Sequence, residues 1–125
     1  MPEAHYDPDG GSIQIHVVSD HMQTAICTIE HFNDVDSDPT RIARVPLTGG
    51  VPRLAQMNPP ADPDSLLMTL YTIVLEHGPE FHVRTVLEQD GNILAEDDFP
   101  RSGDDVATVA GQTVPVALIF NLLEG

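Results

Sequence analysis

A chain of 125 residues has the length of one domain, and its apolar share of 41% is ordinary for a protein with a packed core. Twenty acids stand against five bases, all of them arginine, for a formal net charge of −15. Such a surface repels phosphate backbones and anionic lipid, so neither a nucleic acid nor a membrane is an expected partner.

The lack of lysine removes Schiff-base chemistry and the phosphate-loop lysine. Codon bias or a high-salt interior also produces acid-rich, lysine-free chains, and the charge is read as that background. A single cysteine, Cys27, excludes an internal disulfide framework. No basic-then-apolar signal opens the chain. The longest apolar run, LLMTLYTIVL at 66–75, is about half the length of a membrane helix. The expectation is a soluble, cytoplasmic protein. With no tryptophan, the core must rest on Val, Ile, Leu and Met, and eleven prolines and nine glycines cut the chain into short runs that suit strands and turns.

In chain order, residues 1–11 (MPEAHYDPDGG) read as a polar arm. SIQIHVV at 12–18 alternates Ile13, Ile15 and Val17 against Gln14 and His16, the period of a strand. SDHMQ is a turn, and TAICTIEHF at 24–32 is a second strand. An acidic loop follows. RIARVPL at 41–47 reads as a short strand that Pro46 confines to a sheet edge. Residues 48–64, with four prolines and two glycines, read as one long loop, either functional or a crossover between sheets. Residues 65–77 carry helix punctuation in Ser65, Gly78 and Pro79. Thr69, Tyr71, Thr72, Ile73 and Val74 favour a strand, and one apolar on both faces belongs at the centre of a sheet.

EFHVRTVLEQDGNILAEDDF at 80–99 is a hairpin about Asp90-Gly91. A two-residue loop would set Val83 against Asp98 and His82 against Phe99, mixing polar and apolar groups on both faces. A three-residue loop pairs Leu87 with Ile93, Thr85 with Ala95 and Phe81 with Phe99, and on the other face Arg84 with Glu96 and His82 with Asp98. The three-residue register is therefore expected. Residues 100–112 read as a loop with room for a short strand, and TVPVALIFNLL at 113–123 is the last strand. The sum is an all-β chain, an antiparallel β-sandwich of six to eight strands with little or no helix.

Motifs for chemistry are weak. Asp34, Asp36 and Asp38 alternate as in the opening of a calcium loop. The sixth and twelfth positions are Pro39 and Val45, where glycine and glutamate are required, so the stretch reads as a solvated turn. His16, His21, His31 and Cys27 lie on or near the first two strands without H-x-H or C-x-x-C spacing. Cys27 and His31 are about 13 Å apart along a strand, too far to share an ion. His16 could meet a residue of the second strand across a hairpin. Ser12, Ser19, Ser37, Ser65 and Ser102 lack the G-x-S-x-G context. No metal ligand, cofactor site or catalytic residue is assigned.

Three stretches resemble a bacterial family of small all-β proteins of unknown function. They are Val17-Val18-Ser19-Asp20-His21, the segment EHGPEFHVRTVLEQDGNILAE at 76–96, and Val114-Pro115-Val116. The resemblance implies a β-sandwich and supplies no activity. Function is therefore expected to be non-enzymatic: a protein-binding or assembly module, of a kind found in phage or phage-like particles. It is expected to work with a protein partner or as a homo-oligomer, because SIQIHVV has no charge to guard a sheet edge. The alternative is a small-molecule or metal-dependent site between the sheets using His16, His21 or His31.

Overall fold

The computed structural model describes residues 1–34, 36–101 and 108–125. Nine strands and no helix occur among them: β1 (Glu3–Tyr6), β2 (Ile13–Ser19), β3 (Thr24–Phe32), β4 (Thr40–Leu47), β5 (Arg53–Met57), β6 (Asp64–Val74), β7 (Val83–Gln89), β8 (Asn92–Phe99) and β9 (Thr113–Glu124). Sheet A has the order β1-β9-β6-β3-β4 and sheet B the order β5-β2-β7-β8. The two pack as a sandwich.

Strict alternation makes the core. Ile13, Ile15 and Val17 of β2 face Ala25, Cys27 and Ile29 of β3, and Leu67, Tyr71 and Ile73 of β6 join Leu118, Phe120 and Leu122 of β9, all buried. Buried hydroxyls stitch the sheets together. Thr69 and Thr85 are 2.7 Å apart, Tyr71 Oη lies 2.6 Å from Thr85 Oγ1, and it donates to the Arg84 carbonyl at 2.8 Å. Every one of these hydroxyls has a partner, as burial demands.

The sandwich holds, with more strands than the six to eight expected. The two additions lie where an arm and a loop were read. Glu3–Tyr6 is no arm: it pairs in parallel with Asn121–Glu124 of β9, burying Ala4 and Tyr6. Parallel pairing arises because the N-terminus extends an edge without a hairpin connection. Within 48–64, Arg53–Met57 pairs with Ile13–Val17, and Tyr6 Oη donates to the Asp62 carbonyl at 2.9 Å. Pro52 and Pro59 flank a strand of only five residues, and their punctuation hides it. Residues 65–77 are strand, as read, over Asp64–Val74, and β6 is the centre of sheet A. Pro46 does sit on an edge strand, since among the described residues β4 pairs only with β3. Part of the loop read over 100–112, residues 102–107, lies outside the described residues.

The hairpin register corrects the expectation. Gln89 pairs with Asn92, so the tip is a two-residue loop with Asp90 at φ 51° and Gly91 at φ 81°. A bulge then inserts Leu94, and from Leu87–Ala95 to Val83–Phe99 the pairing is displaced by two residues from the one predicted. The bulge repairs the mixed faces that argued against a two-residue loop. A two-residue displacement also keeps every side chain on its predicted face. Arg84 accordingly still reaches Glu96, His82 still reaches Asp98, and the Phe81 and Phe99 rings still meet at 6.1 Å.

Candidate interaction surface

The side chains of β9, β6 and β3 that alternate with the core point away from it. Apolar ones among them are Leu66, Met68, Leu70 and Val74 of β6, Ala117 and Ile119 of β9, and Ile26 and Phe32 of β3, with Thr24, Thr28, Glu30, Thr72 and Asn121 at other outward positions. Register sets them side by side: Met68 faces Ile119, Leu70 faces Ala117, and Leu66 lies opposite Phe32. Ile26 and Ile119 are 39% and 38% exposed, large values for isoleucine on the middle strands of a sheet. Phe32, Leu66, Met68 and Ile119 line a shallow depression of about 180 Å³. Within this band the one carboxylate among the described residues is Glu30, opposite Arg41 of β4. Asp64 closes one end.

The edges of the same face are charged. On β4, Arg41 and Arg44 are exposed, and among the described residues neither has an acid within 4.0 Å. On β1, Glu3 and His5 are exposed, 3.4 Å apart. The face thus carries two arginines on one edge, a largely apolar middle and the Glu3–His5 pair on the other edge.

The outer face of sheet B is different. Arg84 pairs with Glu96, and Arg101 with Asp97. His82 is held between two carboxylates, Nδ1 at 2.8 Å from Asp20 Oδ2 and Nε2 at 2.8 Å from Asp98 Oδ2. Burial disfavours the charged ring, but the hydrogen bonds to Asp98 and Asp20 outweigh it and raise the pKa above its ordinary 6.5. Arg84, Glu96, Asp97, Asp98, Arg101 and Pro2 line an open cleft of about 480 Å³ beside it. Asp20 is fixed by the turn that joins the sheets, in which His21 (φ 59°) and Met22 (φ 60°) are both left-handed. That strain, of order 1–2 kcal/mol per residue, is held by Gln23. Its buried amide donates to the Gly78 and Glu80 carbonyls at 3.0 and 2.8 Å and accepts from His77 N at 3.0 Å.

The histidines singled out in the sequence do not converge. His16 lies on the outer face of sheet B, its Nε2 3.4 Å from Glu88 Oε2 without hydrogen-bond geometry. It meets no residue of the second strand, because β2 pairs with β5 and β7 while β3 pairs with β4 and β6. His21 sits exposed in the turn, 4.0 Å from Glu80. His31 ends β3, where its Nε2 is 2.9 Å from Ser65 Oγ, and burial lowers its pKa against the pull of Asp62. Ser65 is 1% exposed, so the contact ties β3 to β6 and presents no open nucleophile. Cys27 is buried, its thiol pushed up to about 12 by desolvation despite the Tyr71 hydroxyl, which is a core role. The acidic stretch folds on itself, Asp34 Oδ1 accepting from Asp36 N at 2.8 Å. Among the described residues no three His, Cys, Asp or Glu side chains converge as a metal site.

No family model, curated protein or solved structure matches the chain. Two features escaped the sequence reading. One is the Asp20 half of the His82 cluster, 62 positions away along the chain, whereas the Asp98 half follows from the hairpin. The apolar face had a signal, the two-sided apolar run at 66–75, which was read only as a mark of centrality.

Proposed function

We propose that the chain is a non-enzymatic protein-binding module, an assembly or accessory component, that meets its partner with the outer face of sheet A. One observation carries the reading: a chain with a net charge of −15 keeps all but one of its described carboxylates off the middle of its largest sheet face. An antiparallel sheet with one face in water normally alternates apolar-in and polar-out. The outward apolar cluster of Leu66, Met68, Leu70, Ala117 and Ile119 on the adjacent strands β6 and β9, with Phe32 beside it, is of the kind that marks a contact surface. The charged rim around an apolar centre is the anatomy of a protein interface.

A photo-crosslinking residue placed at Met68 should give discrete protein adducts in cells, whereas the same residue at Val86 on sheet B should give none. Equal adduct patterns from the two positions, or none from either, would remove the reading.

A further inference from the structure

The partner of this face can be identified from its charge layout. We infer that it is a second copy of the chain, packed sheet A against sheet A about a twofold axis parallel to β6. This rests on the reading of that face as a contact surface.

β6 is the middle of five strands, so an axis along it superposes the apolar bands of two copies and lays β4 of each across β1 of the other. The Arg41 edge then meets the Glu3 edge. Register supports the match. Glu3 is level with Asn121 and Leu66, and Arg41 with Glu30 and Met68, two residues further along β6. Two residues are about 7 Å along a strand, and facing sheets lie about 10 Å apart, a gap that an arginine and a glutamate together span. Arg41 has no acid within 4.0 Å among the described residues, so its charge is open to such a pairing. An axis perpendicular to the strands would instead lay β4 on β4, bringing arginines of both copies together.

Size fits as well. Five strands about 4.8 Å apart, over about eight residues, span roughly 650 Å² per copy. Two copies would bury roughly 1,300 Å², within the range of about 1,200–2,000 Å² for stable interfaces. The contact would be an isologous one, which closes at two copies.

Sedimentation equilibrium at micromolar concentration decides the matter. The native chain should give twice 13.6 kDa. Met68→Asp should weaken self-association by at least roughly 100-fold, as expected for a charge at the centre of an interface. Ile119→Asp should do the same, and circular dichroism of both verifies that they fold. Arg41→Glu and Glu3→Arg should each weaken association by roughly tenfold, and the double exchange should restore it. A double exchange no better than the singles would overturn the axis. A dimer that survives both Met68→Asp and Ile119→Asp would overturn the contact. A native mass of 13.6 kDa at every concentration would overturn self-association. If position 68 still crosslinked to a different protein, the interaction reading would stand without it.

Discussion

On sheet B the outward positions carry Gln14, His16, Arg84, Glu88, Glu96 and Asp98 interspersed with Val18, Leu54, Val86 and Ile93, and most of the charges are paired within the chain. On sheet A the outward positions of β3, β6 and β9 carry Ile26, Phe32, Leu66, Met68, Leu70 and Ile119 with threonines, Glu30 and Asn121 between them. The inward positions of both sheets obey one rule, burial of apolar side chains, because both share one core. Outward positions answer to whatever lies beyond them. Sheet B pairs most of its outer charges internally and exposes Leu54 and Ile93 only on its two edge strands. Sheet A has apolar area in its outer face and two arginines without an acid within 4.0 Å among the described residues, which is costly in water and useful in a contact.

The sharpest way to break this contrast is to cut the same strand on its two sides. Leu67→Ala, on the core side of β6, should destabilise the fold by about 3 kcal/mol in denaturant titrations. Met68→Asp, one residue on, should cost dilute protein less than about 1 kcal/mol, since surface changes away from structural features are small. Equal losses would mean that the outer band is part of the fold's own packing.

A second test belongs to sheet B. His82 has a folded pKa above its unfolded value, so its contribution to stability is complete below about pH 6.5 and is lost as pH rises through the raised value. His31 has the opposite sign, and its contribution is lost as pH falls below 6.5. The thermal midpoint of the native chain should therefore fall relative to His82→Asn as pH rises above about 6.5. Parallel profiles would show that the Asp20 and Asp98 contacts are not held in solution. A smaller effect comes from Arg84 and Glu96. Exchanging the two residues should restore most of what Arg84→Glu alone loses, a difference of under about 1 kcal/mol for an exposed pair. A double exchange no better than the single change would show that the pair does not form.

Much of this fold was legible in the sequence. Alternation exposed β2 and β3, β-branched and aromatic residues exposed β6, and Asp-Gly exposed the hairpin. Pairing was less accessible. β2 and β3 follow one another through a short turn yet belong to different sheets, and two left-handed residues, His21 and Met22, make that departure possible. β2 is consequently an interior strand, so the unguarded edge that first suggested an oligomer does not exist. β1 and β5 are too short, and too closely flanked by proline, for alternation to show. β9 tolerates Pro115 because β1 covers only Asn121–Glu124, leaving the other end of β9 without a neighbour on that side. The candidate surface was half legible: the apolar run at 66–75 was visible, but the arginine edge and the acid edge come together only through sheet order.

Methionine oxidation tests the central claim most directly, because the chain carries its own probes. Met22 stands 61% exposed in the turn between the sheets, and Met68 sits in the middle of the apolar face. Under mild peroxide at micromolar concentration, Met22 should convert to its sulfoxide promptly while Met68 is protected. Dilution, or Ile119→Asp, should release Met68 and leave Met22 unchanged. A Met68 oxidation rate that is the same at every concentration and in the variant would contradict the account, for it would mean that nothing in solution covers the outer face of sheet A.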